Sequence, residues 1–229
     1  MNRNIKPVLN ILRTLDVASL KNYEVVANLV RLFGLMPWVL PGMGLQGPEV
    51  EYVNPTYVAA IGQTPNQIAK ALVYLGDYKI NSYCEIGLYY AGTFLFVSEY
   101  LRRFNPEIKC LGVDPNNHVS PEIREMVELS DWMRFATVTS EQIVGRKYDL
   151  VFIDGEHTAP WPGKDWDNVG KYSDICMFHD IQDELWPDAG ALWRTLKGKK
   201  VEFLDTWEDR ATHGIGLIHV REVKNASKL

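Results

Sequence analysis

Through the first third of the chain, apolar positions recur at helical spacing. Residues 7–33 carry the pattern in two pieces, with Ser19 as the expected N-cap of the second and Gly34 as its stop. The stretch "MPWVLPGMGLQGP", dense in proline and glycine, then breaks the period and reads as an ordered loop or lid. "TPNQIAKALVYLG" restores it: Thr64 is placed to cap, Pro65 suits the first turn, Gln67 would complete a capping box, and Gly76 would end the helix. Ile68, Ala71, Leu72 and Leu75 share one face and predict its buried side. From residue 80 the period shortens to alternation. Strand-like runs at 82–86, 109–113, 133–138, 149–153 and 174–178 are separated by helical segments, clearest at 92–104 and 120–130. That order predicts an α/β, doubly wound parallel sheet with helices on both faces. A helix near 184–197, a strand at 200–205 and the run "GIGLIHV" close the pattern. The last two strands are joined by a short loop and must pair antiparallel, because a parallel crossover needs a dozen or more residues.

Composition narrows the class. The chain has 229 residues, 46% of them hydrophobic and 23% charged, which fits a soluble globular protein with a three-layer core. Its net charge of -5 argues against a dedicated nucleic-acid binder. Cys84, Cys110 and Cys176 are odd in number, lie in apolar runs and lack Cys-x-x-Cys spacing, so buried reduced thiols are expected. No signal peptide and no membrane span is read, and a cytoplasmic location is expected.

The candidate chemistry sits at strand ends, where doubly wound sheets bind ligands. "CEIGLYYAGTF" ends its strand in Glu85 and Gly87, and Gly92 begins the following helix, whose free N–H groups favour an anionic or polar group. A plain strand-to-helix turn explains the same residues. Tyr89 and Tyr90 stand where such loops carry small side chains, and would fill the pocket or turn from it. "KCLGVDP" delivers Asp114, an acid suited to ribose hydroxyls, or simply a turn initiator before proline. "YDLVFIDGEH" delivers Asp154 and then His157, and "ICMFHDI" delivers His179 and Asp180. If those strands are neighbours, Asp154, His179 and Asp180 converge at one rim. They would then suit a divalent cation such as Mg²⁺ or Mn²⁺, acid–base chemistry, or only the capping of following helices.

With "VFIDGEH" followed by "FHDI", the chain resembles the class I S-adenosylmethionine-dependent methyltransferases. Within them it is most similar to the branch of macrocin-type sugar O-methyltransferases, over roughly residues 60 to 220. The resemblance implies a Rossmann-like, mostly parallel seven-stranded sheet with an antiparallel last strand. It divides the chain into an N-terminal helical extension and lid loop, residues 1–60, and a methyltransferase domain, residues 61–229. It implies that Glu85, Gly87 and Gly92 hold the methionine moiety of S-adenosylmethionine, that Asp114 binds the ribose, and that Ser140 lies near the adenine. Asp154 would lie near the sulfonium and, with Asp180 and His179, would ligate Mg²⁺ if a metal is used. His179 stands where metal-dependent relatives carry a carboxylate, which makes it or His157 a candidate base instead. The expected partner is a small hydroxylated methyl acceptor such as a sugar, with Trp38, Met43 and Tyr52 of the loop 35–55 either covering its pocket or packing the N-terminal helices. Those helices also offer a homodimer contact. Two rival expectations are a binding protein with a degenerate cofactor pocket and a nicotinamide-dependent oxidoreductase, the latter with a last strand parallel to its neighbours.

Overall fold

Every strand expected from the alternating period is present in the computed structural model, which describes residues 5–36, 52–53, 60–182, 186–207 and 210–221. The order is α1 (Lys6–Thr14), α2 (Tyr23–Phe33), α3 (Pro65–Leu75), β1 (Ser82–Ile86), α4 (Gly92–Arg102), β2 (Lys109–Val113), α5 (Pro121–Glu128), β3 (Met133–Ala136), β4 (Leu150–Ile153), α6 (Trp161–Asn168), β5 (Ile175–Phe178), α7 (Pro187–Thr195), β6 (Lys199–Trp207) and β7 (Arg210–His219). They form one seven-stranded sheet in the order β3-β2-β1-β4-β5-β7-β6. Strands β1 to β5 pair in parallel, and β7 lies antiparallel to both β5 and β6. The antiparallel β7 departs from what a nicotinamide-dependent oxidoreductase predicts. Strand order reverses between β1 and β4, which places the switch-point crevice over the ends of these two strands.

Alternation along each strand builds the two sides of the core. Tyr83, Cys110, Leu150, Phe152, Ile175, Met177, Ile215 and Leu217 face helices α1 to α5. Cys84, Ile86, Leu111, Val113, Val151, Ile153, Cys176 and Phe178 face the layer that contains Val169 and Trp193. The three cysteines are buried free thiols, and burial pushes all three away from ionisation. Among the described residues no helix is long and apolar enough to cross a membrane.

Some local expectations change. The second helix is capped by Asn22, whose side chain accepts the Glu24 N–H at 2.9 Å, whereas Ser19 opens a 3₁₀ turn held by Asp16. Gly34, at φ 120°, does end α2. Thr64 precedes α3 but makes no side-chain cap bond. Gln67 forms no capping box because its side chain accepts the Gly214 N–H at 3.2 Å, tying α3 to β7. The N-terminal helices dock directly: Arg13 pairs with buried Glu99 of α4, and Tyr100 Oη donates to the Leu20 carbonyl at 2.8 Å. Of the expected lid residues, Trp38 and Met43 lie outside the described residues. Tyr52 is half-buried and packs against the core. Backbone bonds from Ile61 to Gly34 and from Met36 to Ile61 then carry the chain to Gln63 at the crevice.

Candidate active site

The glycine loop is shaped by the switch point itself. Gly87 stands at φ 90°, and a Cβ there would lie 2.2 Å from the Asp154 carbonyl oxygen, so the backbones of the β1 and β4 ends approach too closely for any side chain. Asp114, at the end of β2, holds the loop. Its Oδ2 accepts the N–H groups of Leu88 (2.8 Å) and Tyr89 (3.0 Å), and its Oδ1 accepts that of Asn116 (2.7 Å). Gly92 opens α4 behind Ala91, which is left-handed at φ 62° and has no side chain to cap the first turn. The tyrosines form an edge-to-face pair at 4.3 Å, with His118 beside them. Tyr90 packs against Met36 and Ala60, and Tyr89 is 44% exposed, so its ring lies at the surface.

Below the loop, Glu85 is buried within β1 and accepts a hydrogen bond from the Tyr83 hydroxyl on Oε2. Its Oε1 has no hydrogen-bond partner among the described residues. Burial pushes this carboxyl well above the usual range, Tyr83 opposes the shift and Asp154 adds to it. Farther along the rim Ser140, at the start of a 3₁₀ turn, donates to Asp165 Oδ1 at 2.6 Å and accepts from Asn168 at 2.9 Å. Burial lifts Asp165 to about 6.

The other half of the site surrounds Asp180. Its Oδ2 lies 3.0 Å from His157 Nδ1 and 3.2 Å from His179 Nδ1, and its Oδ1 lies 2.9 Å from His213 Nδ1. His179 Nδ1 is also 3.1 Å from Asp154 Oδ1. Gln63 completes the chain by donating to Asp154 Oδ2 at 2.6 Å while accepting from the Thr93 hydroxyl at 2.6 Å, which links the start of α4 to the rim. Burial alone would raise Asp180, but His179 and the other imidazoles hold it well below the usual carboxylate range. Burial alone would lower His179, yet Asp180 and Asp154 raise it well above the usual imidazole value. His157 keeps partial exposure and lies 5.7 Å from the Trp186 ring.

Asp154, His157, His179 and Asp180 therefore meet as their strand ends imply, and β4 and β5 are indeed neighbours. Glu85 stands within β1, Gly87 just after it, Gly92 at the start of α4 and Asp114 just after β2, and Ser140 stands on the loop after β3. Sequence reasoning missed His213, Gln63 and Asp165. His213 had a usable signal. The antiparallel register Phe178↔Gly216, continued two residues, sets Asp180 opposite Gly214 and so brings "THG" to the rim. Gln63 had none, since its position depends on the N-terminal pairing.

No protein-family model and no curated protein matches the sequence. Solved structures do resemble the fold. A candidate O-methyltransferase from Klebsiella pneumoniae superposes with a TM-score of 0.53 at 13% identity, over 71% of this chain and 82% of that one. The O-methyltransferase TomG from Streptomyces achromogenes, solved with S-adenosylmethionine, gives 0.50 at 12% identity over 69% and 81%. The CMeT domain of a citrinin polyketide synthase gives 0.51 at 13% over 77% and 58%. The fold is that of the class I S-adenosylmethionine-dependent methyltransferases.

Proposed function

We propose that the chain is an S-adenosylmethionine-dependent O-methyltransferase acting on a small hydroxylated acceptor such as a sugar or saccharide. The observation that carries this reading is the placement of the His157–Asp180 pair at the rim of the switch-point crevice, across from the glycine loop. The residues fit the cofactor. Glu85 Oε1, buried and unpartnered among the described residues, suits the methionine ammonium. The N–H groups of the first turn of α4, which Ala91 at the N-cap does not cap, suit the carboxylate. Asp114 would meet the ribose hydroxyls, and the Ser140–Asp165 pair would border the adenine. Residues 1–60 would be an N-terminal helical extension and lid loop, and residues 61–229 the transferase domain.

When bound, the cofactor supplies an electrophilic methyl group, so positioning of the acceptor oxygen carries much of the rate. Asp154, just after β4 at the switch point, would lie near the sulfonium, and Gln63 fixes its carboxylate. Asp180 holds His157 by Nδ1, which leaves Nε2 to take the proton from the acceptor hydroxyl. Trp186 beside His157 gives the acceptor an apolar face. The rim does not fit Mg²⁺, which prefers carboxylate and water oxygens. Three imidazoles surround the carboxylates here, and no step is assigned to that ion.

The test is transfer of label from methyl-labelled cofactor to a panel of saccharides and small phenols. The expected outcome is label on oxygen, with His157→Ala lowering turnover about 100-fold or more and leaving S-adenosylhomocysteine affinity unchanged. Undiminished turnover in His157→Ala would remove the base from this scheme. Cofactor binding without any transfer would favour a binding protein instead.

A further inference from the structure

We infer that the rim binds a borderline first-row transition cation in place of Mg²⁺, with His179, Asp180 and His213 as its ligands. Three observations lead to it. First, one ligand atom from each of these residues lies within 4.8 Å of the others, and the second group, Asp154, His157 and Asp180, shares the Asp180 carboxylate. Second, donor spacing matches a coordination shell as well as it matches hydrogen bonds. Around an ion with ligands at about 2.1 Å, neighbouring donors at right angles stand about 3.0 Å apart. His213 Nδ1 stands 2.9 Å from Asp180 Oδ1 and His179 Nδ1 3.2 Å from Oδ2, so each imidazole meets one carboxylate oxygen at that spacing. Third, the backbone is strained where these ligands are presented. The non-glycine residues with positive φ among those described are Tyr89 and Ala91 of the glycine loop, then Asp180 (φ 56°) and His213 (φ 47°). Such conformations persist where the surrounding fold over-determines them, typically at functional positions. His179 is also 5% exposed, with an Nε2 that has no hydrogen-bond partner among the described residues.

The donor set decides the ion. Two imidazoles and one carboxylate suit Fe²⁺, Co²⁺ or Zn²⁺, whereas Mg²⁺ dehydrates reluctantly and is held through oxygen. The cation takes the place of the Nδ1 protons that His213 and His179 hold toward Asp180; those protons leave Nδ1, and each ring binds as a neutral imidazole with its proton on Nε2. His213 meets Asp180 Oδ1 and His179 meets Oδ2, the oxygen that also holds His157, so the ion's ligands and the base are joined through one carboxylate. His213 comes from the β7 hairpin and not from the strand-end pair the sequence offers, which makes it the residue that sets metal choice.

Cobalt titration of the full, chelator-treated chain tests this. The expected result is visible d–d absorption saturating at one equivalent of Co²⁺, displaced by Zn²⁺ and unchanged by a hundredfold excess of Mg²⁺. His213→Ala should weaken Co²⁺ binding tenfold or more, and His118→Ala, beside Tyr89 and Tyr90 and outside both ligand groups, should not. If His213→Ala does not fold, nitrogen-15 histidine spectra of the unaltered chain serve instead: Zn²⁺ should remove the Nδ1 proton of His213 and shift a ring nitrogen of His179. No absorption, Mg²⁺ competing as an equal, or unchanged histidine spectra would overturn the inference and leave a proton-bridged network. S-adenosylhomocysteine binding is measured in parallel. Its absence would count against the methyltransferase reading alone.

Discussion

Replacing Asp165 by asparagine should stabilise the protein at neutral pH and leave it unchanged in acid. Asp165 is 5% exposed, and its Oδ1 takes the Ser140 hydroxyl. Burial pushes this carboxyl up to about 6, Glu141 adds to the shift, and the Ser140 hydrogen bond only partly opposes it. In the unfolded chain the same group titrates near 4. The folded state thus holds the proton over a range where the unfolded state has released it. Stability from this group is fully present below about pH 4 and is lost as pH rises through about 6. The displacement corresponds to about 3 kcal/mol at pH 7.5, an upper value because the site can relax. Asparagine keeps an acceptor for Ser140 and carries no charge. Urea melts of both proteins at pH 7.5 and pH 4 measure the difference, expected at about 1–3 kcal/mol in the variant's favour at the higher pH and near zero at the lower. A variant less stable at pH 7.5, or an equal gap at both pH values, would refute the argument. If it holds, the fold tolerates a costly buried acid beside Ser140, as a ligand-facing position would require.

Other consequences are equally direct. Gly87→Ala should cost about 3 kcal/mol or more, because its Cβ meets backbone at 2.2 Å, whereas Gly145→Ala, at φ 73° with open space around it, should cost about 1 kcal/mol; thermal melts compare the two. Arg13→Ala should destabilise by about 2–3 kcal/mol by stranding Glu99 on α4, and adding Glu99→Gln should recover part of that loss in a double-mutant cycle.

How far the sequence could be read follows the range of the interactions involved. Strand positions, the antiparallel hairpin and the four rim residues Asp154, His157, His179 and Asp180 were legible because they follow from period and from strand ends. Capping failed at Ser19 because a local rival, Asn22, lies nearer the helix start, and at Gln67 because a tertiary partner, the Gly214 N–H, draws its side chain across the fold. Gln63 was invisible because its two partners, Thr93 and Asp154, are brought to it only by the folded chain. His213 lay between these extremes, readable once the β5–β7 register is written out.

Calorimetric titration with S-adenosylhomocysteine tests the central claim most directly. The account predicts one site per chain with micromolar affinity, weakened about tenfold or more in Asp114→Ala, which loses the carboxylate that gathers the Leu88, Tyr89 and Asn116 N–H groups. No heat at millimolar ligand, or binding of NAD in its place, would contradict it.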